Sequence, residues 1–368
     1  MKLSSSSSSI SYCSSTLLLP ISLLCFVLFG TTKALIKIPP NETFPAVLVF
    51  GDSIVDTGNN NNLRTIVKCD FRPYGQDFKG GIPTGRFCNG KVPADFLAQE
   101  LGIKEVVPAY LDPNLSSSDL PTGVCFASGG SGYDPLTPKL VSVISLSEQL
   151  QHFQEYTTKL KGLVGEDKTN FILANSIFLV VAGSDDIANT YFTLRVRKAL
   201  YDVSAYSDLM ANSASDFVKQ LYALGARRIA VFGAPPIGCV PAQRTLAGGN
   251  GRECANDFNQ AALLFNKKLS AKLDSIKTKM PNNRAVYIDV YDPLLDLIQN
   301  PQQHGFEISD KGCCGTGNIE VAELCNRFTS SVCPNASSYV FWDSYHPTER
   351  TYKVLTTSIL QKYINAFY

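Results

Sequence analysis

The stretch VFGDSIVDTGNN, residues 49–60, joins an apolar run to a cluster of turn-forming residues. The run begins at residue 46, is typical of a buried strand, and stops abruptly at Gly51, Asp52 and Ser53. Glycine permits a tight exit from a strand. Ser53 therefore stands at the C-terminal end of the first strand, where it is either a nucleophile or a turn residue.

The rest of the chain alternates apolar runs with amphipathic segments. Strand candidates lie at 46–50, 177–182, 228–232, 285–290 and 339–342. Helix candidates lie at 92–101, 146–160, 205–224, 255–279 and 348–366. Strands that alternate with helices predict parallel βαβ units. Ligands bind beyond the carboxyl ends of such strands, which favours a functional role for Ser53.

Length and charge narrow the classes of function. The chain has 368 residues, of which 45% are hydrophobic and 18% charged, so it can bury a sizeable core. The formal net charge is +1, and the two signs are interspersed along the sequence. Because this charge creates no strong electrostatic field, neither nucleic acid nor an anionic membrane is predicted as a partner. The sequence leaves the oligomeric state open.

Residues 1–34 differ from the rest and are predicted to be a cleaved secretory signal. Lys2 precedes a serine-rich stretch, an apolar run occupies 17–29, and Thr32 and Ala34 suit a cleavage site. The run is short for a membrane anchor, which is the alternative and needs about 20 residues. No later stretch predicts a transmembrane span, so residues 35–368 are predicted to form one secreted, extracellular domain.

Secretion changes the interpretation of the cysteines. Nine follow the signal, and in an oxidising compartment most are expected to pair. Cys239 and Cys254 flank a glycine-rich loop, and we predict a disulfide between them that contributes about 3 kcal/mol. Cys313 and Cys314 are predicted to pair with Cys325 and Cys333, in an order left open.

A zinc site built from the latter four cysteines is the less favoured alternative, because adjacent cysteines suit tetrahedral ligation poorly. The odd number of cysteines predicts at least one that is free or paired between molecules. Asn41, Asn114 and Asn335 begin glycosylation sequons, which agree with secretion.

A serine nucleophile needs a base, and the sequence contains only three histidines. His152 lies in a polar helical segment, and His304 in a loop with proline and glycine. His346 follows an apolar strand and precedes the last helix, with Asp343 three residues earlier. That spacing allows the carboxylate to hold the imidazole in a catalytic triad. The alternative is that Asp343 and His346 only cap the helix.

Acyl transfer also needs donors for the oxyanion. The stretches CFASGGSGYD, 125–134, and VVAGSDDIANTYF, 180–192, follow other strands and supply candidates. The sequence has no Gly-x-Ser-x-Gly elbow, no dinucleotide or phosphate loop and no clustered histidines for a metal. Paired carboxylates for glycoside cleavage stay open on spacing alone.

Together these segments resemble the plant GDSL esterase/lipase family, a branch of the SGNH hydrolases. FGDSIVDTGNN, FASGGSG, AGSDDIANTYF, GAPPIGCVP and FWDSYHPTER match its blocks in family order, and the third is most similar to the extracellular-lipase subgroup. The resemblance implies a three-layer α/β/α sandwich with a mostly parallel, five-stranded flavodoxin-like sheet. It also implies a secreted hydrolase of carboxylic esters, of lipid or acetyl type, without metal or organic cofactor.

The resemblance assigns the site residue by residue. Ser53, Asp343 and His346 would form the triad, and the backbone amides of Ser53 and Gly130 would bind the oxyanion. Many members carry Asn where this chain has Asp185, and an ionised aspartate accepts hydrogen bonds but donates none. Asp185 would therefore donate only when protonated; otherwise it turns away, or the protein is a poor catalyst.

Two further functions stay open at this stage. The same site would transfer an acyl group to an alcohol instead of water, since both reactions share the acyl-enzyme. Because fold alone does not establish activity, Asp185 also leaves room for a catalytically weak secreted binding or coat protein.

Overall fold

The computed structural model describes residues 38–316, 319–320, 325–326, 328 and 331–368; the predicted signal, 1–34, lies outside them. Four parallel strands form the central sheet in the order β1–β2–β3–β4. They are β1 (Val47–Gly51), β2 (Ile177–Val181), β3 (Arg228–Phe232) and β4 (Arg284–Ile288). Every residue of β1, β2 and β3 is buried, which explains their continuous apolar runs.

Helices cover both faces of this sheet. They are α1 (Pro93–Glu100), α2 (Leu136–Val141), α3 (Leu146–Val164), α4 (Glu166–Asn175), α5 (Val203–Ala223), α6 (Pro241–Ala247), α7 (Asn256–Lys277), α8 (Tyr291–Gln299) and α9 (Glu349–Tyr363). Leu48 and Phe50 pack in the core formed with α3, α5 and α7. Val47 and Val49 point to the other face, in the core formed with α1, α8 and α9. The predicted three-layer, mostly parallel fold is confirmed.

The membership of the sheet differs from the prediction at one strand. Residues 339–342 do not join it; β6 (Tyr339–Phe341) pairs instead with β5 (Ile308–Gly312) in a separate two-stranded sheet. The free edge of β1 is covered by an extended segment around Cys125, which is too short to count as a strand. There the amide of Val49 donates to Val124 O (3.2 Å), and that of Phe126 to Val49 O (2.7 Å). A short apolar run does not encode its pairing partner, so its pattern alone suits either position.

Three disulfides crosslink the described chain. Cys239 is bonded to Cys254, Cys313 to Cys333, and Cys314 to Cys325. The last two bridges give the order that the sequence left open, and they leave none of these sulfurs available as a zinc thiolate. Cys69, Cys88 and Cys125 are free and buried. The odd number of cysteines predicts at least one that is free or paired between molecules.

The described residues contain neither a candidate membrane span nor a candidate metal site. No helix in these ranges has both the length and the apolar character needed to cross a bilayer. No cluster of three or more His, Cys, Asp and Glu side chains there is arranged to hold a metal ion. The side chains of Asn41, Asn114 and Asn335 all belong to exposed residues.

Candidate active site

The site begins where β1 meets β2 at the carboxyl edge of the sheet. Gly51 has φ +135°, and a Cβ on it would lie 1.8 Å from the carbonyl oxygen of Val181. Only glycine permits that approach and that backbone conformation. The amide of Asp52 then donates to the same oxygen of Val181 (2.9 Å), and the chain turns so that Ser53 stands beyond the strand.

Ser53, His346 and Asp343 form one continuous hydrogen-bonded chain. Ser53 Oγ lies 2.8 Å from His346 Nε2. His346 Nδ1 lies 2.8 Å from Asp343 Oδ2 and 3.0 Å from Oδ1. With the proton on Nδ1 facing the carboxylate, Nε2 is free to accept the hydroxyl proton of the serine.

Asp343 is held as an ionised acceptor. Its Oδ1 accepts the amides of Tyr345 (2.8 Å) and His346 (2.7 Å), and its Oδ2 accepts the hydroxyl of Tyr74 (2.7 Å). Burial alone would raise the pKa of Asp343, but His346 and these hydrogen bonds outweigh it and lower the pKa below its ordinary value. The carboxylate is therefore ready to stabilise an imidazolium.

The alternative role of Asp343 and His346 as helix caps does not hold. The N-cap of α9 is Thr348, whose side chain accepts from the amide of Thr351. The turn before it is closed by the amide of Trp342, which donates to His346 O (2.7 Å). Asp343 and His346 are thus displayed on a turn beside the helix, with their side chains directed to each other.

The asparagine-rich turn after Ser53 is hydrogen-bonded to a second loop. Asp56 Oδ2 accepts from the amide of Gly129 (2.9 Å), and Asn60 Nδ2 donates to Gly129 O (2.9 Å). Asn60 Oδ1 also accepts from the hydroxyl of Ser128 (2.5 Å). These side chains tie the loop that carries Gly130 to the turn that follows Ser53.

Gly130 has φ +84° and is buried. Within the described part of the chain, no oxygen accepts a hydrogen bond from the backbone amides of Gly130 and Ser53. Amide donors with no internal partner are what an oxyanion requires.

Asp185 is half-buried and lies after β2, at the N-cap of the π-helical segment Asp186–Thr193. Its Oδ1 accepts from Asn189 Nδ2 (2.7 Å). Burial raises the pKa of Asp185 to about 6, although His346 and the hydrogen bond from Asn189 act in the opposite direction. Asp52 is fully buried nearby, and first burial and then the charge of Asp185 raise its pKa as well. Above its pKa, Asp185 would place a second negative charge in this region.

The neighbouring Asp186 supports the Gly130 loop from the other side. It begins a π-helical segment, Asp186–Thr193, and its carboxylate accepts from the amides of Tyr133 (2.7 Å) and Asp134 (3.0 Å). A Cβ on Gly132 would lie 2.3 Å from Asp186 Oδ1, so glycine is needed there for the loop to approach.

The structure excludes the other two histidines from this site. His304 Nε2 lies 2.7 Å from Asp296 Oδ2, in the segment after α8. His152 is half-buried on α3, with its ring 5.7 Å from that of Tyr110. Cys125, one of the free thiols, donates to the carbonyl of Val55 (3.2 Å), and burial raises its pKa, so it is not a nucleophile.

Sequence reasoning missed Tyr74, Asp56, Asn60 and Asn189 as parts of the site. Tyr74 contacts Asp343 across 269 positions of the chain, and no local pattern marks such a contact. Asp56 and Asn60 belong to the quoted opening stretch, where turn chemistry concealed their second role. The signal available for them in the sequence is the run of Asp and Asn residues directly after Ser53. In the structure, Asp56 and Asn60 are buried and hydrogen-bonded.

Comparisons with known proteins agree with the geometry. The model of a family described as GDSL-like lipase/acylhydrolase matches residues 47–359. GDSL esterase/lipase EXL3 of Arabidopsis thaliana is 65% identical over 342 residues, which cover 93% of this chain and 94% of that protein. GDSL esterase/lipase EXL2 of the same plant is 53% identical over 348 residues, which cover 91% and 92%.

Among solved structures, a catalytic mutant of Axe2, an acetylxylan esterase from Geobacillus stearothermophilus, matches 89% of this chain and 96% of its own. The TM-score is 0.42 and the sequence identity is 12%.

Proposed function

This chain belongs to the GDSL-like lipase/acylhydrolase family, and from that premise we propose that it is a secreted serine hydrolase that cleaves carboxylic esters through an acyl-enzyme on Ser53. Its relatives are named esterases or lipases, and hydrolysis of a carboxylic ester is its class of reaction. The observation that carries the proposed mechanism is the chain from Ser53 Oγ through His346 to Asp343, with contacts of 2.8 Å at each step.

In the first half of the reaction, Ser53 Oγ bonds to the ester carbonyl carbon as His346 Nε2 takes the hydroxyl proton. The carbonyl electron pair moves to oxygen and forms an oxyanion, while Asp343 stabilises the imidazolium. The intermediate collapses by breaking the bond to the alcohol oxygen. That oxygen takes the proton from Nε2, and the alcohol leaves an acyl group on Ser53.

In the second half, water replaces the alcohol. His346 Nε2 takes a proton from the water as its oxygen attacks the acyl carbon. Collapse of the second oxyanion breaks the bond to Ser53 Oγ, which regains a proton from His346, and the carboxylic acid is released. An alcohol in place of this water would yield acyl transfer, so the identity of the second nucleophile decides between the two reactions.

We assign the oxyanion to the amides of Ser53 and Gly130, with neutral Asp185 as a third donor. Because Oδ1 of Asp185 accepts from Asn189, a proton bound to this carboxyl belongs on Oδ2. One such donor is worth about 10²–10³ in rate. Donation by Asp185 requires its neutral form, so the rate should fall as the pH rises through about 6.

Secretion is supported by three disulfides in the described chain, since such bonds persist in oxidising compartments. The exposed sequons at Asn41, Asn114 and Asn335 suit the same route. We propose a lipid or acetyl ester as the substrate, and the names of the relatives, esterase/lipase, support an ester of either kind.

A direct test combines turnover with covalent labelling. The purified protein is incubated with p-nitrophenyl acetate, p-nitrophenyl butyrate and a fluorophosphonate probe. We expect turnover and labelling that are both lost in Ser53→Ala. A folded wild-type protein with neither signal at any pH from about 5 to 8 would instead be a binding or coat protein.

A further inference from the structure

Three surface segments beside the site carry basic and aliphatic side chains but no acidic residue. Residues 61–69 contain two Lys or Arg, residues 135–147 contain one, and residues 193–201 contain three, which makes six with no Asp or Glu. Asp70, Asp134, Glu148 and Asp202 bound these segments, so the separation of charge is confined to the segments themselves, in a chain with 33 basic and 32 acidic residues. It is not visible along the sequence, because the segments are about 70 and 60 positions apart.

Side-chain contacts join the three segments into one region. The hydroxyl of Thr65 donates to Val141 O (2.6 Å), which connects the first segment to α2. The hydroxyls of Thr137 and Thr190 lie 2.9 Å apart, so α2 also contacts the π-helical segment that leads into 193–201. Arg197 returns to the start of α2 through an ion pair with Asp134 (2.6 Å).

The same region borders the Gly130 side of the active site. A Cβ on Gly130 would lie 3.0 Å from Cγ2 of Val141, at the end of α2. Asn60 Nδ2 donates both to Val67 O and to Gly129 O, each at 2.9 Å, and so links the first segment to the Gly130 loop. A ligand resting on this region would therefore lie next to the proposed oxyanion site.

Four cations of this region are exposed. They are Arg64, Lys139, Arg195 and Lys198. Across the described ranges, no carboxylate lies within ion-pairing distance of any of them, whereas Arg197 is already paired. Their combined charge is thus open to an external anion.

Four aliphatic side chains alternate with these cations. Their exposed fractions are 77% for Ile66, 68% for Leu200, 52% for Leu194 and 39% for Leu140. The contacts that join the three segments place these groups in one region, and neighbouring exposed apolar groups mark a site of contact with a protein or a membrane. We call these four aliphatic and four basic residues the basic–apolar surface.

We propose that the basic–apolar surface docks the enzyme onto an anionic lipid surface, with its cations against the headgroups and its aliphatic side chains inserted between them. Interleaved Lys, Arg and aliphatic residues are the composition of interfacial segments. An acidic polysaccharide would also attract the cations, but it offers nothing apolar for four exposed aliphatic groups to contact. The inference rests on the proposed function only in placing the ester at that surface, since docking itself needs no catalysis.

Flotation with lipid vesicles tests the proposal on the full protein. The vesicles contain phosphatidylcholine alone or phosphatidylcholine mixed with phosphatidylglycerol. We expect binding to the mixed vesicles only, and weaker binding as salt is raised. Each Lys or Arg contributes about fivefold to such binding, so replacing all four cations should weaken it by several hundredfold, about 600-fold. That variant is Arg64→Gln, Lys139→Gln, Arg195→Gln and Lys198→Gln.

A second variant removes the aliphatic groups and keeps the charge. It is Ile66→Ser, Leu140→Ser, Leu194→Ser and Leu200→Ser, and it too should lose most binding. The matched control changes exposed residues of α4 and α7. It is Lys168→Gln, Phe171→Ser, Lys267→Gln, Lys272→Gln and Lys277→Gln. The control should float like the wild type, and all three variants should hydrolyse soluble p-nitrophenyl acetate at the wild-type rate.

Three results would overturn the proposal. They are a wild-type protein that stays off mixed vesicles, a four-cation variant that still binds, and retention on polygalacturonate without vesicle binding. Failure of the hydrolase hypothesis is separable, because Ser53→Ala should float normally even if no ester is ever turned over.

Discussion

The hydroxyl of Tyr74 donates to Oδ2 of Asp343 at 2.7 Å, the same oxygen that lies 2.8 Å from Nδ1 of His346. Tyr74 is buried, and its ring packs edge-on against Phe71 and Trp342. In the proposed mechanism it therefore acts through Asp343 rather than by touching the ester, as a positioning residue.

Replacing Tyr74 with Phe keeps the ring and removes only this hydrogen bond. We expect kcat/KM to fall about tenfold, the equivalent of a hydrogen bond to an ionised group. The less neutralised Asp343 would hold the imidazolium of His346 more firmly. The acidic limb of the pH profile should therefore move to higher pH, measured with a soluble p-nitrophenyl ester.

Other groups also face this pair and stay unchanged in the variant. They are Cys69, Cys88, Asp185, Tyr345 and Tyr352. Tyr156→Phe is the matched control, because Tyr156 is a buried tyrosine whose hydroxyl donates to Leu120 O (2.6 Å) far along the chain from the triad. A slower Tyr74→Phe enzyme with an unmoved acidic limb would mean that Tyr74 only supports packing.

Asp185→Asn tests the third oxyanion donor. In the wild type, ionisation of Asp185 with a pKa of about 6 removes the donor and adds a negative charge, so the rate should fall as pH rises through that value. An amide donates at every pH. The variant should lose this alkaline limb and, at about pH 8, exceed the wild-type rate by up to 10²-fold.

Asp52 and Asp186 also have raised pKa values, and both remain in this variant. If they caused the alkaline limb, it would persist in Asp185→Asn. An unchanged rate and profile would show that Asp185 is not an oxyanion donor. The Asp185→Ala variant has neither the charge nor the donor. Below about pH 6 it should therefore be slower than the wild type, and above about pH 6 its rate should not change with pH.

Gly51→Ala tests the strand exit on which the nucleophile depends. The added carbon would lie 1.8 Å from Val181 O, in a backbone conformation with φ +135°. We expect the free energy of unfolding to fall by about 3 kcal/mol or more, measured by denaturant titration. Gly162→Ala is the control, because nothing lies within 4 Å of that position in α3, and alanine there should stabilise by up to about 1 kcal/mol. Equal stability of the two variants would contradict this account.

The sequence alone predicts most of this site because two independent restrictions apply. The glycine-ended strand gives Ser53 a position, and only His346 among three histidines shares that position at another strand end. Asp343 follows from its spacing to His346. Tyr74 and Asn189 do not follow. Tyr74 reaches Asp343 from a distant position, and the contact of Asn189 with Asp185, four positions away at the π-helical segment, has a spacing common to any helix.

The fold shows the same division between features that the local sequence predicts and features that it does not. The bounds of α1, α5, α7 and α9 lie within a few residues of the predicted helices, because amphipathic spacing is a local property. The pairing of β6 with β5, and the order of the Cys313 and Cys314 bridges, depend on which distant segment arrives alongside. A short apolar run or an isolated cysteine does not record that choice.

Ser53 and His346 lie 293 positions apart in the sequence. The ribosome therefore synthesises Ser53 long before His346. During synthesis the nascent polypeptide displays its hydroxyl long before any partner exists to deprotonate it. The contact between Ser53 Oγ and His346 Nε2 can form only after translation has passed residue 346 and the turn closed by the amide of Trp342 has folded. The hydroxyl of Ser53 thereby stays without its base until nearly the whole polypeptide has been synthesised.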